Sequence, residues 1–410
     1  MNKADSERLA GDYHSRGYKK AKSINQADEI IINTCSVRQR AEDRVDGLIL
    51  NLMSQLQARK PKPKIILTGC MIHHGQNTLL DMFPFVDEIL PINEVGFNQE
   101  AIRRDKHHAW IPISNGCNSF CSYCIVPFSR GREKSRPMKE ILTEIKKLVD
   151  QGYSEITLVG QNVNSYGKRG LKNPMPFHEL LYGIAEIPGV ERLRFTTSHP
   201  NDFTRETIRA YRDLDILMNH LHLPVQSGNN QVLKAMRRDH TIEEYRDLLA
   251  ELKTEVPDIS LSTDIIVGFP GETDAAFADT LKIMKEVGYS SSYMFAYSPR
   301  PGTPANELPD SVPEETKKHR LQEVIALQHK QSEQLGQTFV GENVEVLIEG
   351  RSSKPGYAFK GRNPQYWNVN IQGGDEIFEA GDMVTVQVEE VTGHSLNGRA
   401  TRCETVIQQS

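Results

Sequence analysis

Three of the six cysteines in this 410-residue chain fall in one short stretch, Asn115-Gly116-Cys117-Asn118-Ser119-Phe120-Cys121-Ser122-Tyr123-Cys124. The pattern is C-x3-C-x2-C. Thiolates are the ligands of iron–sulfur clusters, and a cubane cluster has four irons. Three local thiolates therefore leave one iron open to a small molecule. Ferredoxin runs differ, because their repeated C-x2-C units leave every iron closed by protein. An open iron points to chemistry rather than to electron carriage alone. The alternative is a tetrahedral zinc site with His107 or His108 as fourth ligand, although the paired cysteine spacing usual for zinc is absent.

The cysteines need a scaffold, and the chain from Trp110 to Ser298 supplies a repeating one. Strand candidates are Trp110-Ser114, Glu155-Val159, Arg192-Thr196, His220-Val225, Leu261-Val267 and Ser291-Tyr297. Helical stretches alternate with them near Lys139 to Asp150, Phe177 to Glu186, Arg205 to Leu214, Ile242 to Lys253 and Asp274 to Glu286. Six β/α repeats predict a partial barrel, with its site at the carboxyl ends of the strands. Glycine, asparagine and serine gather at those ends, in Gly160-Gln161-Asn162-Val163, Thr197-Ser198-His199-Pro200, Leu223-Pro224-Val225-Gln226-Ser227-Gly228 and Gly268-Phe269-Pro270-Gly271-Glu272-Thr273. Any one of these stretches reads as an ordinary loop. In register at one barrel mouth they predict a pocket.

Upstream, Asp28 to Thr34 and Lys64 to Gly69 read as buried parallel strands joined by a helix from Ala41 to about Ala58. Cys35 and Cys70 follow these strands at matched positions, where open α/β sheets place ligands. Downstream, a charged helix from Glu314 to about Gly336 leads into about five short strands, a pattern that predicts a small β-barrel. The fold class is thus α/β, with divisions expected at 1–106, 107–334 and 335–410. Cys403, remote from the others, reads as structural.

Composition narrows the setting. A net charge of −5 means that nucleic-acid contact must come from local features. Six cysteines in so long a chain do not make a disulfide framework, and a reducing cytoplasm suits them. No apolar run is long enough to span a membrane, and charges at the N-terminus replace the apolar core of a signal peptide.

The cysteine stretch resembles the signature C-x3-C-x-(aromatic)-C of radical S-adenosylmethionine (SAM) enzymes, with Tyr123 as the aromatic. The strand-end motifs resemble the radical SAM methylthiotransferase family. Asn33-Thr34-Cys35-Ser36-Val37-Arg38 and Arg130-Gly131-Arg132-Glu133-Lys134-Ser135-Arg136-Pro137 resemble its tRNA-modifying group, called MiaB. The resemblance implies a 4Fe-4S cluster on Cys117, Cys121 and Cys124 that chelates SAM. It implies SAM contacts from Gly160, Gln161, Asn162, Ser198 and Gln226. Arg237 and Arg238 are candidates for its carboxylate or for substrate phosphate.

A second 4Fe-4S cluster is implied on Cys35, Cys70 and a cysteine of a Gly-Cys-Gln strand that the family carries before the residue matching Met1. The expectation is that the start was set too far downstream. The final domain resembles TRAM, an RNA-binding barrel, notably in Lys360-Gly361-Arg362-Asn363. Tyr357, Phe359, Tyr366 and Trp367 would there stack on bases or serve as core. The implied substrate is N6-(dimethylallyl)adenosine in the tRNA anticodon loop. The implied partners are a flavodoxin or ferredoxin as electron donor, and the expected state is a monomer. Two departures, Met71-Ile72-His73-His74 and His240, bear on substrate detail. Rivals are a sister enzyme acting on threonylcarbamoyl-adenosine or on a ribosomal-protein aspartate, and a non-catalytic RNA-binding protein with structural zinc.

Overall fold

Runs of β-branched residues make the strands of this chain, and the residues just beyond their carboxyl ends make its site. The computed structural model describes residues 1–34, 39–91, 100–168, 175–373 and 377–404, the side chains of 39–43 and 402–404 excepted.

The first layer runs α1 (Asn2–Ser15), β1 (Glu29–Thr34), α2 (Gln39–Gln55), β2 (Lys64–Gly69), α3 (Gln76–Met82) and β3 (Glu88–Ile89). The strands form a parallel sheet in the order β1-β2-β3, with Thr34 opposite Gly69. Gly69 has φ 98°, and a Cβ there would stand 2.2 Å from the Thr34 carbonyl oxygen. Only glycine lets the two strand ends close together and send Cys70 into the crevice. Helix α1 buries Asp5, Glu7 and Arg8 rather than an apolar stripe.

Next come β4 (His108–Pro112), β5 (Ser114–Asn115), α4 (Val126–Arg130), β6 (Lys134–Ser135), α5 (Met138–Val149), β7 (Glu155–Val159), α6 (Phe177–Ala185), β8 (Arg192–Phe195) and α7 (Arg205–Asp213). They are followed by β9 (His220–His222), α8 (Asn230–Ala235), α9 (Ile242–Glu255), β10 (Ser260–Val267), α10 (Asp274–Val287) and β11 (Ser291–Ala296). Parallel sheets β4-β7-β8 and β9-β10-β11 are joined by a single bridge between Leu193 and Leu217. Among the described residues β4 and β11 do not pair, so the barrel is open on one side. The expected strand His220–Val225 stops at His222, two residues short of Pro224, whose missing N–H cannot continue a ladder.

Strand residues alternate. Ile111, Leu158, Phe195, Leu221 and Ile265 join the core under the helices. Their neighbours face the lumen, and these are polar: Glu155, Arg194, His222, Ser262 and Asp264. A β/α barrel usually fills its interior with branched aliphatic layers. This one keeps donors and acceptors there.

Helix α11 (Glu314–Gln337) returns along the barrel to a closed five-stranded barrel of β12 (Asn343–Arg351), β13 (Tyr357–Arg362), β14 (Asn368–Gln372), β15 (Met383–Thr392) and β16 (Ser395–Glu404). This small barrel seals the amino-terminal end of the larger one. Arg192 donates to the Arg362 carbonyl at 2.7 Å, and Arg194 donates to the Asn363 and Pro364 carbonyls at 3.1 Å. Tyr366, at φ 69°, stacks on His220 with ring centroids 5.0 Å apart and lies between Arg194 and Arg362.

Of the two roles open to the aromatics, base stacking or core, the structure decides for three of them. Phe359 and Trp367 are core, and Tyr366 is the seal, because in a barrel this small alternate residues must fill the interior. Asn363 is wholly buried at the junction. Lys360 stays exposed. No helix among the described residues is long and apolar enough to cross a membrane.

Candidate active site

The cysteine loop leaves β5 at Gly116 and is tied down by backbone rather than by its thiols. Gly116 has φ 81°, and a Cβ there would meet the Arg132 carbonyl oxygen at 2.3 Å. Cys117 N–H donates to Gly131 O at 3.1 Å, and Cys124 N–H to Cys121 O at 3.0 Å. Ser122 anchors the middle: its N–H donates to Met236 O at 2.9 Å and its hydroxyl to Ala235 O at 2.8 Å. The structure thus brings Cys117, Cys121 and Cys124 together at the barrel mouth as free thiols. Tyr123 packs with Val232, Met236 and Phe269.

The electrostatics fit a cationic group. Burial, then the charges of Cys121, Cys117 and Cys70, push the Cys124 thiol up to about 12. Burial raises the Cys117 thiol as well. Three adjacent thiolates need compensating cations, and an iron cluster with one thiolate per iron supplies them. Among the described residues no three His, Cys, Asp or Glu side chains close round a single ion. The zinc alternative also loses its fourth ligand. His108 opens β4 and reaches Thr157 Oγ1 at 2.8 Å, at the end of a strand that puts it about 13 Å behind the mouth. His107 precedes it.

Cys70 is buried and opens a 3-10 turn (Cys70–His74) that packs on α4. Arg130 of α4 reaches this thiol while donating to Asp5 at 2.7 Å, Asn2 at 2.9 Å and Asn115 at 3.2 Å. One guanidinium thus joins the N-terminal sheet to the cysteine loop. Cys35 lies outside the described residues, as does the side chain of Cys403. Thr34, next to Cys35, donates to Thr68 O at 2.6 Å and accepts from Met71 N–H at 3.2 Å, so the two strand ends sit side by side.

Around the mouth stands a ring of buried polar atoms without hydrogen bonds: Ser114 Oγ, Gln161 Oε1, Asn162 Oδ1, Ser198 Oγ, His199 Nε2, Arg238 Nε and both ring nitrogens of His240. Buried polar atoms are nearly always paired, so a concentration of orphans marks a place made for a polar ligand. A Cβ at Gly160 would stand 2.7 Å from Ser114 Oγ, which keeps the rim narrow. Thr197 and Gln226 sit at φ 73° and 70°, strained backbone of the kind found at ligand clamps. Of the two arginines, Arg237 is exposed, whereas Arg238 reaches Cys121 Sγ at 3.7 Å and Pro224 O at 2.8 Å.

His199 and His240 were not singled out as site residues from sequence, since they meet only in the fold, edge to face at 5.9 Å. Burial, then the positive Arg238, holds His199 down to about 2 and His240 down to about 4. In the unfolded chain both titrate near 6.5. Above that pH both states are neutral and stability is unaffected. As pH falls from 6.5 towards about 4, the unfolded state takes up protons that the fold refuses, so stability drops. The slope is about 1.4 kcal/mol per histidine per pH unit at most. Urea midpoints at pH 7, 6 and 5 should show this fall, and His240→Asn should flatten it. Equal slopes in the two proteins would contradict the assignment.

The comparisons follow this geometry. The radical SAM superfamily profile matches residues 111–284, the uncharacterized protein family UPF0004 matches residues 1–91, and the TRAM domain matches residues 337–401. The fold is similar to that of a radical S-adenosylmethionine methyltransferase from Kitasatospora setae, solved with cobalamin and a 4Fe-4S cluster. The TM-score is 0.55 at 14% identity, over 74% of this chain and 73% of that one. The partial barrel and its cysteine loop define a radical SAM enzyme.

Curated relatives narrow the class. The tRNA-2-methylthio-N(6)-dimethylallyladenosine synthase of Acetivibrio thermocellus is 42% identical over 98% of this chain and 89% of its own length. That of Protochlamydia amoebophila is 42% identical over 97% of this chain and 93% of its own. The chain belongs to the tRNA-2-methylthio-N(6)-dimethylallyladenosine synthase family.

Proposed function

We propose that this chain adds a methylthio group to carbon 2 of N6-(dimethylallyl)adenosine at position 37, beside the anticodon of tRNA. The observation that carries the reading is the three-cysteine loop at the barrel mouth with Cys70 beside it. Cys117, Cys121 and Cys124 hold one 4Fe-4S cluster, and Cys35 and Cys70 hold a second together with a further ligand. When bound, these clusters and SAM supply the one-electron chemistry that opens an unactivated aromatic C–H bond and the sulfur that replaces the hydrogen.

The residues of the chain bind, orient and exclude water. Gly160, Gln161, Asn162, Ser198 and Gln226 line the SAM site, and the orphaned polar atoms of Gln161, Asn162 and Ser198 support that role. Tyr123 backs the cysteine loop, and Arg238 fixes Cys121. The depressed histidines stay neutral, which keeps like charge away from the sulfonium. Arg130 holds Cys70 against the cysteine loop, which would bring the ligands of both clusters to one mouth. The working protein is a cytoplasmic monomer of three units, 1–106, 107–334 and 335–410, reduced by a flavodoxin or ferredoxin.

The test is anaerobic turnover. Reconstituted, reduced protein with SAM and tRNA bearing N6-(dimethylallyl)adenosine should yield its 2-methylthio form by nucleoside mass spectrometry. Conversion of threonylcarbamoyl-adenosine instead, or of a ribosomal-protein aspartate, would reassign the substrate.

A further inference from the structure

We propose that Tyr293, Asp264 and His222 form the receptor for the target base, with the purine stacked on Tyr293 and its N6–H donated to Asp264. The inference rests on the reading above and names the side chains that would hold and select that substrate.

Register places these residues. Asp264 lies directly opposite Tyr293 in the parallel pair β10–β11, so the two side chains share a face. The alternate positions Ile265 and Met294 pack under the helices, which assigns Asp264 and Tyr293 to the lumen. His222 joins them from β9, with its ring edge to face with Tyr293 at 5.8 Å and 80°. Gln226, at the rim, donates its N–H to the Asp264 carbonyl at 2.9 Å. Ile266, two residues on from Asp264 in β10, packs in one cluster with Tyr123 and Met236, so the receptor adjoins the cysteine loop.

Two observations point to an occupant. Tyr293 is 54% exposed although it faces the interior, because β11 is the last strand and leaves the lumen open on that side. An aromatic face open within a binding lumen is a stacking platform for an unpaired base. The Asp264 carboxylate, partly sheltered, makes no side-chain hydrogen bond among the described residues. The ring nitrogen that faces it, His222 Nε2, stands at 3.7 Å, beyond hydrogen-bond length, while His222 Nδ1 is occupied by Ser262 Oγ at 3.0 Å.

A carboxylate only accepts. An N6-alkyladenine offers one N–H at that edge. An N6,N6-dialkyl adenine offers none there, and a 6-oxo purine presents an acceptor oxygen in place of the exocyclic donor, so the same carboxylate disfavours both. The receptor thus selects a purine extruded from the anticodon loop, as enzymes that act on base atoms require.

The experiment is fluorescence anisotropy with the full chain, reconstituted anaerobically and kept unreduced, against anticodon stem-loop RNAs. Position 37 carries N6-(dimethylallyl)adenine, its N6-methyl derivative without an N–H, or no base. Wild type should prefer the first. Tyr293→Ala should weaken base-bearing RNA roughly tenfold and leave abasic RNA unchanged, with Tyr293→Phe restoring affinity. Asp264→Asn should shrink the preference for the N–H-bearing base and spare abasic RNA. Equal affinity of wild type for all three RNAs, or equal losses in the variants whatever stands at position 37, overturns the receptor. Either result leaves the methylthiolation assay standing, and failure of that assay alone overturns the functional reading.

Discussion

Replacing Cys117, Cys121 and Cys124 together by alanine will lower the iron of anaerobically reconstituted protein by about four atoms per chain and abolish 5′-deoxyadenosine formation. The loss will be chemical rather than structural. The loop is held by Gly116, by the Ser122 hydrogen bonds and by backbone contacts of Cys117 and Cys124, none of which needs a thiol. Alanine also removes buried groups whose ionisation is penalised. The unreconstituted variant should therefore melt close to wild type. Iron content unchanged by the triple substitution would sink the assignment of these sulfurs.

The second large effect is expected at Glu144. Its carboxylate meets Arg8 at 3.2 Å, Arg103 at 2.6 Å and Arg136 at 2.8 Å, and all three guanidiniums are almost fully buried. Burial works to raise this carboxyl, yet the three arginines win and hold it below the usual range. Burial, partly offset by Glu144, brings even Arg8 down to about 10. Glu144→Ala would remove the one carboxylate that Arg8, Arg103 and Arg136 share, leaving Arg103 its second partner Glu7 at 3.2 Å. Breaking a buried ion pair by removing one partner costs about 3–5 kcal/mol.

Arg8 comes from α1 and Arg136 from the segment after β6, so the cluster also clamps the N-terminal sheet to the barrel. The variant should still form 5′-deoxyadenosine while losing methylthio product, because α1, whose Asp5 and Asn2 anchor the Arg130 that reaches Cys70, loses its Arg8–Glu144 clamp to the barrel. Urea unfolding reads the stability term, and a loss below about 1 kcal/mol would show the cluster to be incidental.

Much of this was legible in the chain itself. Glu29–Thr34 and Lys64–Gly69 are apolar runs too short for helices, and both are strands. The six barrel strands and five helices lie within a few residues of where periodicity put them. The cysteine loop was legible because its ligand spacing is local. Other features escaped for identifiable reasons. Helix α1 has no apolar stripe to betray it, since its buried face carries the charges that Arg103 and Arg130 meet. Strand β3 is two residues long. His199 and His240 converge only through the fold. In the last domain, alternation told strands from turns but not which aromatics would face inward. Lys360-Gly361-Arg362-Asn363 looked like an RNA-binding signature, and its last two residues went instead to the junction with the large barrel.

That junction has a consequence for how the enzyme could be trimmed. Tyr366 stoppers the floor of a polar-lined barrel whose mouth holds the cysteines, and among the described residues the side between β4 and β11 stays open. A chain cut after Gln337 would forfeit more than its TRAM domain. Without Tyr366 on His220 the barrel floor would open to solvent from below.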